Sequence, residues 1–247
     1  LVSALLIFWL IRYRGKQIRK EAELKSNYEN KMLHLEMQNL RSQMNPHFIF
    51  NSLNSINSFI VENKTHLASD YLTKFSKLIR LILDNSRNEV ISLDRELETL
   101  QLYLLMETLR FDQKFGFEVT VDEKLDREAV RIPPMIIQPY VENAIWHGLM
   151  QKNGKGQVRI ALRKSADNQF LLITICDNGV GRERAAQLSS KTGSTNKSFG
   201  MEITRNRIAK LDLANSVEIS DLKDEHGNAC GTKVELTLSL NHSAGES

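Results

Sequence analysis

Asp177-Asn178-Gly179-Val180-Gly181 directly follows the alternating stretch Leu171, Ile173, Ile175. A strand that ends in D-x-G-x-G suggests a nucleotide. Its glycines let backbone come close to a ligand, and a carboxylate accepts a hydrogen bond from an amino group such as that of adenine. Thirty-odd residues earlier, Glu142 and Asn143 precede His147, which follows Asn143 by four positions and so shares its helix face. An Asn carbonyl oxygen is a hard ligand of the kind Mg²⁺ accepts beside waters and phosphate oxygens. His47, beside Pro46 and one turn before Asn51, lies on a polar helical stripe. A neutral imidazole near pH 7 is a competent nucleophile, and its attack on a γ-phosphate would leave a labile phosphoramidate. The glycines fit neither common phosphate fingerprint. Arg184 stands where a dinucleotide motif wants its third Gly, and Gly156 stands where a P-loop wants Ser or Thr after Gly154-Lys155.

Elements of regular periodicity must hold these residues. Ile49, Leu53, Ile56 and Ile60 form an apolar helical stripe, with His47, Asn51, Asn54 and Ser58 on another face. A further helix is predicted from about Leu67 to Ser86 and another from Leu93 to about Phe111, with Ser92 as its cap. From Phe115 the pattern becomes strand-like, through Phe117, Val119 and Val121. Pro133-Pro134 marks a start, and Met135 to Leu149 reads as a helix. Val158, Ile160, Leu162 and Leu171, Ile173, Ile175 read as two strands around an Asp167-Asn168 turn. Residues 182–199 have the polar composition of a mobile loop, Met201 to Leu213 reads as a helix, and Val217–Ile219 and Lys233–Leu240 read as strands. The predicted fold class is therefore α+β: a helical half over 46–112 and a mixed half over 113–240.

Charge and composition narrow the function classes. The 247 residues carry a net charge of +3, but residues 1–20 contribute +5 and leave the remainder at −2. No broad basic surface for nucleic acid is implied. Cys176 and Cys230 are too few and too far apart for a disulfide scaffold or a cysteine zinc site. Leu1 to Ile11 is apolar apart from Ser3 and is followed by Arg12, Arg14, Lys16, Arg19 and Lys20. Residues 1–15 are expected to be the end of a transmembrane helix with its basic flank on the cytoplasmic side. Residues 16–45, with Leu33, Met37, Leu40 and Met44 at 4-3-4 spacing, are expected to form a coiled-coil helix. Residues 241–247 read as a frayed tail.

Three stretches together resemble the LytS-like sensor histidine kinases. Gln43 to Asn54 (QMNPHFIFNSLN) resembles that family's phosphoacceptor motif; Pro133 to Gly148 (PPMIIQPYVENAIWHG) resembles its N box; Asp177 to Gly181 resembles its G1 box. Ser198-Phe199-Gly200-Met201 resembles the G2 region, Gly231-Thr232 the last nucleotide-contacting turn, and Leu93–Glu98 and Leu109–Phe111 fit between. The resemblance implies a helical dimerisation and phosphoacceptor domain followed by a Bergerat-type α/β sandwich. It implies ATP and Mg²⁺ as cofactors and His47 as phosphoacceptor, with Glu142 assisting it or a metal-bound water. Asn143 would bind the metal, Asp177 the adenine amino group, and His147 would approach the phosphates. Gly179, Gly181, Gly200 and Thr232 would lie around the nucleotide, with 182–199 as a lid. It further implies a homodimer at a bacterial cytoplasmic membrane, and a response regulator, often of LytTR-type output, as acceptor. The chain departs from related kinases at Ser198 and Ile203, where a second G2 glycine and an Asn are common, and Phe48 stands where many other histidine kinases have an acid.

Two other readings stay open on the residues alone. A Bergerat-fold ATPase would use a Glu four positions before Asn143, where this chain has Pro139. A ligand-sensing dimerisation module would bind nucleotide without chemistry.

Overall fold

The computed structural model describes residues 46–190, 204–205, 208, 212 and 214–240. The chain divides into two compact units, residues 1–51 and 52–247. Helix α1, Pro46–Val61, opens on a proline, whose missing N–H is an orphan in a first turn in any case. It stops where Asn63 takes a left-handed φ of 59° and Lys64 N–H closes back on Phe59 O at 2.8 Å. Helix α2, Thr65–Ser86, buries Tyr71, Leu78 and Ile82, with Phe75 half-buried on the same stripe. It packs on helix α3, Leu93–Arg110, through contacts that include Asn85 Nδ2 donating to Thr99 Oγ1 at 3.0 Å. Ser92 caps α3 as expected, its Oγ accepting from Arg95 N at 3.4 Å. The stripe predicted on α1 behaves differently: Leu53 and Ile60 are 49% and 56% exposed. Ile49 and Ile56 of the same stripe are half-buried.

A short ribbon, β1 (Ile91–Ser92) with β3 (Arg131–Ile132), ties the start of α3 to the segment that follows. The main sheet has the order β2-β4-β5-β7-β6. Its strands are β2 Phe115–Val121, β4 Gly156–Lys164, β5 Phe170–Asp177, β6 Ser216–Lys223 and β7 Ala229–Ser239. β2 pairs with β4 in parallel; every other pair is antiparallel. Strict alternation puts Val158, Ile160 and Leu162 of β4, Leu171, Ile173 and Ile175 of β5, and Val234, Leu236 and Leu238 of β7 on one buried face. Polar residues occupy much of the other face, as expected of an antiparallel sheet with one wet side. Asp177 continues the buried register of β5 and pairs with Thr232 of β7.

Two elements differ from the sequence expectation. The helix read over Met135 to Leu149 begins only at Gln138. Helix α4 is Gln138–Asn143, continued by a π-helical segment, Ala144–Leu149. Met135 has a φ of 57°, and the N–H groups of residues 135–137 are taken by a carboxylate from α3, so no helical turn forms there. The stretch read as loop from residue 182 contains helix α5, Arg182–Ser190. Ala185, Ala186, Gln187 and Leu188 are good helix formers, outweighed in a composition reading by the Ser, Thr and Lys residues beyond them.

Residues 191–199, the expected anchor over 1–15, the coiled coil over 16–45 and the tail lie outside the described residues. Most of the helix expected over Met201–Leu213 does too, although Thr204, Arg205 and Ile208 are helical. Among the described residues no helix is long and apolar enough to cross a membrane.

Candidate functional site

The buried face of the sheet opens into a cavity of about 340 Å³ at the ends of β5 and β7. Tyr140, Asn143, Ala144, His147 and Gly148 of α4 and the π segment form one wall. Ile175, Ile219 and Val234 form an apolar floor, and Gly181, Arg182, Ala185 and Ala186 close the side toward α5. Asp177 and Thr232 lie at the strand ends. A largely apolar cavity with a few convergent polar groups suits a flat heterocycle with a hydrogen-bonding edge.

Asp177 is 4% exposed. Its carboxylate accepts from Gly179 N at 2.8 Å and from the backbone and hydroxyl of Thr232. Burial nevertheless pushes its pKa up to about 6, against the lowering effect of those hydrogen bonds. The carboxylate fits only because its neighbours lack side chains. A Cβ on Gly148 would stand 2.8 Å from Asp177 Oδ1, and one on Gly179 would stand 2.4 Å from the carbonyl carbon of Gly148. Gly231 has a φ of 149°, and a Cβ there would come within 1.9 Å of the Asp177 carbonyl oxygen. Gly181, at φ 77°, makes the turn that carries the chain from the strand into α5. Asn178 braces the same loop: its Oδ1 accepts from Gln157 N at 2.8 Å, and its carbonyl accepts from Lys152 Nζ at 2.7 Å.

Asn143 Nδ2 donates to Pro139 O at 2.7 Å, which commits the amide nitrogen and leaves Oδ1 as a free hard acceptor on a cavity-lining residue. That fits a Mg²⁺ completed by phosphate oxygens and water. His147 lines the same cavity although the helix widens to π form between it and Asn143. The structure thus brings Asn143, His147, Asp177, Gly181 and Thr232 together, with Gly179 in the loop that binds Asp177. Glu142 is not among the lining residues. It is half-buried, and its Oε1 accepts from Gln138 Nε2 at 2.9 Å. His47 lies in the first turn of α1, in the other unit, and Gly200 is outside the described residues.

Sequence reasoning missed two supports. Glu96 of α3 is buried, and its carboxylate accepts from the N–H groups of Met135, Ile136 and Ile137 at 2.8, 3.0 and 3.3 Å. It satisfies the donors that lead into α4. Arg182 grips Asp221 of β6 with two parallel bonds, Nε to Oδ1 at 2.9 Å and Nη2 to Oδ2 at 2.8 Å, fixing the start of α5. An acid four residues into a predicted helix was visible as a first-turn residue; its partner about forty positions away was not.

The sequence model of the Histidine kinase family matches residues 35–115. The chain is 31% identical over 221 residues to the uncharacterized protein YwpD of Bacillus subtilis (strain 168), covering 87% of this chain and 74% of that protein. It is 36% identical over 146 residues to the sensor protein LytS of Staphylococcus haemolyticus, covering 59% of this chain and 24% of that one. The chain belongs to the LytS-like histidine kinases. The sensor histidine kinase/phosphatase LytS of Staphylococcus aureus (strain Mu50) is 30% identical over 177 residues, covering 68% of this kinase. The kinase spans between 24% and 33% of the length of these LytS relatives. Among solved structures, the histidine kinase domain of the Erythrobacter litoralis EL346 blue-light activated kinase aligns over 83% of this chain and 95% of that one, at 14% identity and a TM-score of 0.45.

Proposed function

We propose that this kinase binds Mg-ATP in the cavity beneath α4, transfers the γ-phosphoryl group to His47, and passes it on to an aspartate of a response regulator. The observation that carries the reading is the buried Asp177 carboxylate, walled by glycines at one end of a cavity that Asn143 also lines. Above pH 6 that carboxylate is ionised and accepts from the adenine amino group. Ile175, Ile219 and Val234 provide the apolar surface for the base.

Asn143 Oδ1 would hold Mg²⁺, which when bound neutralises phosphate charge and orients the terminal phosphoryl group. His147 donates toward the phosphates. A ring nitrogen of neutral His47 forms a bond to the γ-phosphorus as the bond from that phosphorus to the bridging oxygen breaks. ADP departs with the electron pair, and the imidazole proton goes to a base, a role this reading gives to Glu142. Phosphoryl transfer asks chiefly for positioning and charge neutralisation, so a rigid cavity wall matters more than covalent help.

The same reading makes the kinase a homodimer. Leu53, Ile60 and Leu72 are 49%, 56% and 48% exposed on helices α1 and α2, an apolar face that a second copy would cover. It also places an anchor over residues 1–15 at a bacterial cytoplasmic membrane, a LytTR-type regulator as partner, and no direct contact with nucleic acid.

Incubation with γ-labelled ATP and Mg²⁺ tests the reading. Acid-labile, base-stable label is expected on the protein and is lost in His47→Gln and in Asn143→Ala. Phosphate released with no protein label would replace the kinase by an ATPase. Bound ATP with neither label nor phosphate release would leave a binding module.

A further inference from the structure

Behind the cavity wall, on the side away from the nucleotide, lies a buried ionic cluster that the proposed chemistry does not use. Glu107, in the last turn of α3, has a fully buried side chain, and the side chain of Arg110 at its end is 8% exposed. Arg110 Nη2 donates to Glu107 Oε2. The guanidinium carbon stands 4.4 Å from the centre of the Phe111 ring and 4.5 Å from that of Trp146, so it packs against both rings in the corner that they form. Phe111 and Trp146 themselves meet edge to face at 5.3 Å. Trp146 also hydrogen-bonds the hydroxyl of Tyr103, another α3 residue. The network is incomplete: Arg110 Nε and Nη1 and Glu107 Oε1 are buried with no hydrogen-bond partner among the described residues.

A half-satisfied buried ion pair is a poor way to stabilise a fold. An apolar substitute of similar volume usually does as well or better. What the cluster does achieve is orientation. Trp146 belongs to the π segment, and its neighbours His147 and Gly148 line the cavity, Gly148 lying against Asp177. Met150 N bonds Ile145 O at 2.9 Å, the i→i+5 closure that lets the wall widen at this point. A side chain held from behind can set the rotation of such a widened turn.

We propose that Arg110 is a positioning residue for the nucleotide site. Anchored on Glu107 and packed against the Phe111 and Trp146 rings, its guanidinium fixes the rotation of the π segment and so the placement of Asn143 and His147 against Mg-ATP. The inference rests on the proposed function. A planar guanidinium stacks where an ammonium does not, so lysine keeps the charge and loses the clamp.

The test uses the full chain carrying Trp9→Phe, which leaves Trp146 as its single tryptophan. Affinity for a fluorescent ATP analogue, KM and kcat for protein labelling, thermal midpoint and Trp146 emission are measured together. Arg110→Lys is expected to raise Kd and KM for ATP about tenfold, to leave kcat at saturating ATP within about twofold, and to shift Trp146 emission. Trp146→Phe is expected to keep ATP affinity within about threefold of the parent, because it retains an aromatic face, whereas Trp146→Leu loses about tenfold. Unchanged ATP affinity in Arg110→Lys, with only the thermal midpoint lowered, would overturn the proposal. Should the arginine variant not fold, equal affinity in the two Trp146 variants would overturn it just as well. A parent chain that binds no ATP would sink the proposed function itself and this inference with it. A parent that binds ATP beside indifferent variants would sink the inference alone.

Discussion

Replacing Asp177 by Asn should strengthen the free protein while disabling it. The carboxyl is held at a pKa near 6 by burial, against an ordinary value of 3.8. Because the folded value is the higher one, the folded chain binds an extra proton between about pH 4 and pH 6. The carboxyl's contribution to stability is whole below pH 3.8 and is lost as pH rises through 6. Above pH 6 the fold therefore carries the cost of an ionised buried group, about 3 kcal/mol at about 1.4 kcal/mol per pH unit of separation.

Asparagine cannot ionise, yet it keeps an oxygen to accept from Gly179 N, now 2.8 Å from Asp177 Oδ1. Part of the gain is offset by weaker bonds from Gly179 and Thr232. The expected net effect at pH 7.5 is about 1–3 kcal/mol of added stability, a rise of about 3–10 °C in thermal midpoint for a chain this size. Below pH 4 the advantage should vanish. ATP affinity should fall about 10- to 100-fold, the worth of a hydrogen bond to a charged acceptor. In the parent, affinity should fall toward tenfold per pH unit below pH 6. Differential scanning calorimetry of the free proteins at pH 4 and 7.5, with nucleotide titration at each pH, reads all of this. A midpoint that drops at pH 7.5, or ATP affinity that survives, would refute the assignment of Asp177 as a buried ligand-facing carboxylate.

Further outcomes concern two glycines and Glu96. Gly231→Ala would drive a Cβ onto the Asp177 carbonyl oxygen at 1.9 Å, where backbone meets backbone and neither can yield, so about 3 kcal/mol or more of stability and the nucleotide site should go together. Gly227→Ala, at φ 80° with nothing within 4 Å, should cost only about 1–2 kcal/mol and leave ATP binding intact, as denaturant titration would show. Glu96→Ala would orphan three buried N–H groups and is expected to cost about 3–5 kcal/mol. Glu96→Gln keeps one acceptor and should cost roughly half as much by the same titration.

The sequence made legible those parts of the fold that local physics decides. Alternation located β4 and β5 and put Asp177 in register with Ile173 and Ile175. Ser92 marked the start of α3, and the D-x-G-x-G run marked a close approach that only glycines allow. Contacts that cross the chain were not legible. The start of α4 was misjudged because Glu96 takes the N–H groups of residues 135–137, and no local pattern reports a partner 39 to 41 positions away. Helix α5 was read as loop because composition averaged over 182–199 hid the helix formers at its beginning. Arg110 was visible only as part of a Leu-Arg-Phe motif; its place between two rings depends on Trp146 arriving from a separate segment.

Helix α3 explains why these long-range contacts cluster. Glu96 near its start holds the residues leading into α4, while Tyr103 and Arg110 farther along hold Trp146 at the other end of the same segment. The two grips are separated by 14 residues of helix, about 21 Å at 1.5 Å per residue. Between them lies the stretch that carries Tyr140 and Asn143 to the cavity, with His147 directly after Trp146. A shift of α3 would act on the cavity wall through both contacts. A wall gripped at one end alone could hinge about that point and leave the geometry at Asn143 unchanged. Two grips of different chemistry, a carboxylate on backbone N–H groups and a guanidinium packed against two aromatic rings, tie the wall that carries Asn143 to α3 at both ends.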